Sequence, residues 1–148
     1  MRLLPLISFL CLSAASAHDI DDSLFQLAVK LLLPNNGKPT VFSPFSATAA
    51  IAMLNLGAHG QTEREVLDNI FGGSNATHVS AYFKNLIEKV VSKGPLNIAS
   101  RIYLNENSCI RFSYRHSLKT YFKAEIKEVD FEYDKEEIRR SINDFVYK

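Results

Sequence analysis

His18, His59, His78 and His116 are the side chains best suited to hold a metal ion, yet they are scattered. None has a second ligand at helical or turn spacing, so no metal site is read from them. Serine, histidine and aspartate recur along the chain without a Gly-x-Ser-x-Gly elbow to present a nucleophile. Gly57 to Thr62 has the glycines of a phosphate loop but lacks its lysine, and it follows a helix pattern instead of a strand. The chain therefore reads as a non-enzyme that calls for no cofactor. Two short motifs remain. Asn75-Ala76-Thr77 is an acceptor for N-glycosylation, set beside Gly73 and Ser74 in what reads as a surface turn. Ser43-Pro44-Phe45-Ser46 reads as a helix start, with Ser43 as the cap, Pro44 at the first helical position and Ser46 in the first turn.

The 148 residues suffice for one domain, and 47% hydrophobic against 22% charged residues describes a globular chain. Met1-Arg2, the apolar run Leu3 to Leu12 and the small residues Ala15-Ser16-Ala17 have the form of a cleaved export signal. The run is too short to span a bilayer. Residues 1–17 are thus expected to be a leader, with residues 18–148 as the exported chain. Without Arg2 the chain has 16 basic and 16 acidic residues, a balance that suggests neither nucleic acid nor a membrane surface as partner. Cys11 leaves with the leader. Cys109 is then the remaining thiol, expected to be half-buried and idle, so the exported chain has no internal disulfide.

Apolar spacing places the elements that would hold these motifs. Ile20, Leu24, Leu27, Ala28, Leu31 and Leu32 form a helical stripe that Pro34-Asn35-Asn36-Gly37 ends. After Val41-Phe42, the helix opened by Ser43 contains Ala47, Ala49, Ala50, Ile51, Ala52, Met53, Leu54 and Leu56, with almost no polar face. A helix of that kind belongs inside a sizeable domain. Thr62-Glu63-Arg64-Glu65 reads as a capping box for a third helix, which stops at Gly72-Gly73. A fourth helix is expected from about His78 to Val91, ended by Gly94-Pro95. Lys84, Lys89 and Lys93 lie on or just after it with Glu88 among them, which favours a solvated face over a polysaccharide-binding one; Arg139-Arg140 is also read as surface. Leu96 to Leu104 alternates as a strand, Ser113 to Phe122 reads as a short helix, and Glu125 to Phe131 as a second strand. Asp134 and Glu137 then resemble a capped helix start, and the sequence reaches Lys148 without a stop signal. The domain is expected to be incomplete there.

Several of these segments together resemble the N-terminal portion of the serpin family of serine protease inhibitors. Val41 to Ser46, the alanine-rich helix, and Gly57-Ala58-His59-Gly60-Gln61-Thr62 are similar to that family's signature. Leu96 to Tyr103 resembles the first long strand of its main sheet, and Phe122 to Phe131 resembles the next. Ile142-Asn143-Asp144-Phe145-Val146 is similar to its Ile-Asn-x-Trp-Val helix. Ala47 stands where Ile is common, Ser100 where Asn is usual, and Phe145 where Trp is usual.

The resemblance implies an α+β serpin fold, which in complete members has many helices and three β-sheets. Here that fold would be truncated to the N-terminal helices and the first two main-sheet strands. It also implies a secreted inhibitor whose exposed loop is cut by a serine protease and inserts into the main sheet, releasing stored strain. The reactive centre lies downstream of Lys148 in the family order, so none of these residues can be the bait. Ser43 and Ser46 match the family's shutter, the region behind the sheet where strands part. A non-inhibitory carrier or storage protein of the same fold, or an inactive truncated product, is the rival reading. The residues of the loop hinge would decide between inhibitor and carrier. The exported chain by itself is expected to aggregate or be degraded rather than fold cooperatively.

Overall fold

The computed structural model describes residues 15–33, 41–93 and 98–147. The first fourteen residues of the expected leader, the expected stop signals at Pro34 to Gly37 and at Gly94-Pro95, and Leu96-Asn97 lie outside them. The elements run α1 (Ala15–Leu32), α2 (Pro44–Asn55), α3 (Gln61–Ile70), α4 (Ala76–Lys93), β1 (Arg101–Asn105), α5 (Phe112–Phe122), β2 (Glu125–Val129) and α6 (Lys135–Val146). Two compact units, Met1–Phe83 and Lys84–Lys148, divide this order inside α4.

In the first unit α1 packs on α2 and α3, and α2 on α3. Ile20 and Ala28 of α1, Ala49, Ala52 and Met53 of α2, Phe71, and Val79 and Phe83 of α4 are buried. Aromatic rings fill the larger spaces: Phe83 lies 6.0 Å from Phe45 and meets Phe71 edge-on at 6.2 Å, within the favourable range for ring pairs. The stripe read on α1 is only partly covered, with Leu31 and Leu32 exposed. The apolar helix α2 is also only partly enclosed. Its inner face is buried, but Ala50 is exposed and Leu54 is 67% exposed.

The start of α3 differs from the capping box read in the sequence. Gly60, with φ at +66°, occupies the cap, and the helix begins at Gln61, one residue before Thr62. Thr62 is then inside the first turn, where its hydroxyl has no cap to make, and Glu65 instead accepts from the Gln61 side-chain amide at 2.8 Å. Glycine reaches that positive φ without the Cβ penalty, which lets the chain turn into the helix earlier. At the other end Gly73 donates to Leu67 O at 2.9 Å, a closure that uses two left-handed glycines.

In the second unit β1 and β2 are parallel, with Arg101 opposite Glu125 and Asn105 opposite Val129. Parallel strands need a crossover, and α5 provides it while packing on β2. Ile87, Leu118, Phe122, Ala124, Val129 and Ile138 are this unit's buried apolar residues. Both strands are shorter than their patterns suggested. β2 ends at Val129 because the Asp130 carboxylate accepts the N–H groups of Glu132 and Tyr133 at 2.8 and 3.2 Å, which folds the chain into a turn. With a five-residue partner, the regular part of β1 is five residues too. Asp134 stands at the cap of α6, yet its side chain makes no capping bond; Glu136 pairs with Arg139 instead. Cys109 is exposed, not half-buried, because it falls in the loop between the turn after β1 and the start of α5.

Candidate functional site

Ser43 adopts the extended backbone that a helix cap requires, with φ −104° and ψ 101°. Its Oγ accepts the Ser46 N–H at 3.3 Å and lies 2.9 Å from Ser46 Oγ. Both serines are exposed, and either hydroxyl can be the donor. Thr48, a turn further along, is fully buried and donates to Pro44 O at 2.8 Å. The start of α2 thus has three hydroxyls, one committed inward and two tied to each other at the surface. Neither serine hydrogen-bonds a histidine or carboxylate among the described residues, so the pair has no base and is not a nucleophile. A hydroxyl pair of this kind can exchange its mutual bond for bonds to passing backbone.

Asn75 has a structural role that the sequon alone did not suggest. Its side-chain Oδ1 accepts the His78 N–H at 2.8 Å, and its carbonyl accepts the Val79 N–H at 3.1 Å. It is the N-cap of α4, which explains why that helix begins at Ala76 and not near His78.

Sequence reasoning missed a cluster around Arg101. Its guanidinium donates to Glu125 Oε2 through Nε at 3.2 Å and Nη2 at 2.6 Å. It also lies 3.9 Å from the centre of the Phe145 ring, close enough for a cation–π contact. Bonding to Tyr103 and then to Glu125 raises its pKa above the ordinary value. Beside it Lys127 Nζ donates to Ser141 Oγ at 2.6 Å. These contacts fasten α6 to both strands. Only the parallel register brings Arg101 opposite Glu125, and nothing in the residue order announces that register. A further tie joins Tyr82 of α4 to Asp21 of α1, the phenol donating to the carboxylate. Burial first, and then Asp21, raise the Tyr82 pKa well above that of a free phenol.

Helical packing in one unit and a parallel β–α–β in the other make this an α+β chain. Solved serpins share this architecture. A structure of cleaved serpin 42Da is similar at a TM-score of 0.74 and 23% identity, over 90% of this chain and 36% of that one. The native stressed form of Arabidopsis AtSerpin1 is similar at 0.72 and 16%, over 86% and 34%. The family model described as serpin (serine protease inhibitor) matches residues 20–148, and the chain belongs to that family. Among curated relatives, serine proteinase inhibitor 2.4 of Apodemus sylvaticus is 30% identical over 86% of this chain and 32% of its own length. Serpin B6 of Macaca fascicularis is 33% identical over 80% and 33%. The chain spans about a third of the length of these relatives. Among the described residues no helix is long and apolar enough to cross a membrane.

Proposed function

We propose that this chain supplies the N-terminal portion of a secreted serpin that traps a serine protease by inserting its cleaved reactive loop into the main sheet. Residues 1–17 act as the export leader. Ser43 and Ser46 serve as shutter hydroxyls that exchange partners while the strands part. The observation that carries this reading is the Ser43–Ser46 hydroxyl pair, 2.9 Å apart at the start of α2 in a chain matched by the serpin family model. It is supported by the partial cover of α2, whose exposed Leu54 suits a site where further elements pack.

The test begins with the message, read through and past the codon for Lys148. The product of the uninterrupted frame is then incubated with trypsin-like, chymotrypsin-like and elastase-like proteases. A protease–serpin adduct that survives boiling in detergent supports the proposal, and simple cleavage without an adduct contradicts it. Retention of a small apolar ligand without any adduct would instead support a carrier. That second reading draws on the likeness to human thyroxine-binding globulin in complex with its ligand, at a TM-score of 0.69 and 23% identity.

A further inference from the structure

We infer that Asn75 is a glycan-bearing helix cap, one side chain whose two ends do separate work at the same time. Its Oδ1 is engaged by the His78 N–H at 2.8 Å and holds the first turn of α4. Its Nδ2 has no partner among the described residues, and both Asn75 and Thr77 of the acceptor triplet are exposed. The loop before it turns through the left-handed Gly72 and Gly73, so the triplet stands at a corner of the chain. Most acceptor asparagines would gain a glycan without any consequence for a neighbouring helix. Here the same amide is structural, and the chemistry must leave the cap in place.

That chemistry does leave it in place. The donor is a lipid-pyrophosphate-linked oligosaccharide, supplied with its transferase by the export compartment. An Nδ2–C1 bond forms, the C1–O bond to the pyrophosphate breaks, Nδ2 loses one proton, and the lipid pyrophosphate departs. The product is a secondary amide. It retains Oδ1 and both acceptor lone pairs, so the bond from His78 survives. Enzymatic removal of the glycan converts Asn75 to aspartate, which is itself among the best N-cap residues. The helix start is therefore indifferent to whether the glycan is attached, never attached, or removed.

This inference rests on the proposed export of the chain, and the experiment keeps the two apart. The full chain is translated with and without microsomes, under its own leader and, in parallel, with residues 18–148 behind a proven leader. Protection from added protease reports entry. A single mass increase that peptide-N-glycosidase reverses, and that Thr77→Ala abolishes, reports the glycan. Entry under either leader without that increase overturns the inference; entry only behind the proven leader counts against the native leader alone. The cap is read by hydrogen exchange at the His78 amide in the product of the uninterrupted frame, where the rest of the fold is supplied. Protection should be the same in the glycosylated chain, the enzyme-treated chain and Asn75→Asp, and about fivefold weaker in Asn75→Ala. If the glycosylated chain exchanges as fast as Asn75→Ala, the shared role is wrong. Thr77→Ala, which leaves the capping asparagine untouched, serves as the folded control.

Discussion

Ser43 and Tyr82 show how much single side chains settle in this chain. The Ser-Pro start of α2 was readable because an N-cap is a local device: its donor and acceptor are three residues apart, and sequence spacing is enough to place them. Replacing Ser43 by Ala should cost about 1 kcal/mol of stability, and Ser46→Ala, which keeps the capping oxygen, should cost less; paired thermal melts of the product of the uninterrupted frame would separate the two. The Asn75 cap is equally local, but the sequon drew attention to the same residue for another reason. Arg101, by contrast, meets Glu125 and Phe145 across gaps in sequence that only the folded register closes. The tie between Tyr82 and Asp21 has a consequence in alkali. The folded chain holds the phenol protonated, with a pKa above the ordinary 10.0, so the unfolded chain loses its proton first as pH rises. The stabilisation is fully present below pH 10 and declines above it. Melting temperatures of the product of the uninterrupted frame, from pH 8 to about 11.5, should fall more steeply with native Tyr82 than with Tyr82→Phe.

At the scale of elements, residue patterns located each helix of the described residues, and the errors gathered at the ends. Thr62 and Glu65 had the right types for a capping box, but Gly60 could take a positive φ and started α3 before Thr62 could serve. Glu125 to Phe131 had strand-forming residues throughout, and the Asp130 side chain stopped it early. In both cases one residue's local geometry overrode a pattern spread over several. The end of α5 offers a direct test of such geometry. Lys123 closes the helix in the left-handed region with φ at 51°, where the next residue, Ala124, donates back to Leu118 O at 3.3 Å. Its side chain is exposed, so little contact is lost on removal. Lys123→Gly should therefore raise stability by roughly 1 kcal/mol, the cost of left-handed backbone for a residue with a Cβ. In the product of the uninterrupted frame, a shift of the urea midpoint upward, with an unchanged slope, would be the expected result; a downward shift would mean that the lysine does more than close the helix.

For the molecule as a whole, family and fold were legible because the segments that carry the resemblance are those that build the interior. The Ser-Pro start, the small residues of α2, the alternating strand and the Ile-Asn helix each have a packing reason for their types. What the sequence could not display was how much of that interior is covered within these residues. Phe25, Leu33, Leu54 and Phe112 are each 65% or more exposed, more apolar surface than scattered exposure on a stable monomer usually presents. Residues 18–148 expressed by themselves are therefore expected to elute in light-scattering chromatography as a concentration-dependent assembly and to melt over a broad range. A monomer with a sharp two-state transition would contradict that expectation.

The two-stranded sheet in the second unit completes this picture. A parallel pair is ordinarily an inner part of a larger sheet, covered and flanked. In the described residues β1 and β2 have only each other, so each offers an outward row of backbone donors and acceptors. Such a row is indifferent to the side chains of whatever docks against it. The surface best able to recruit another strand here is therefore written in main-chain atoms, and point substitutions elsewhere will scarcely silence it. A proline placed in an outward-facing position of either strand, or a short peptide that occupies the row first, is the means of closing it.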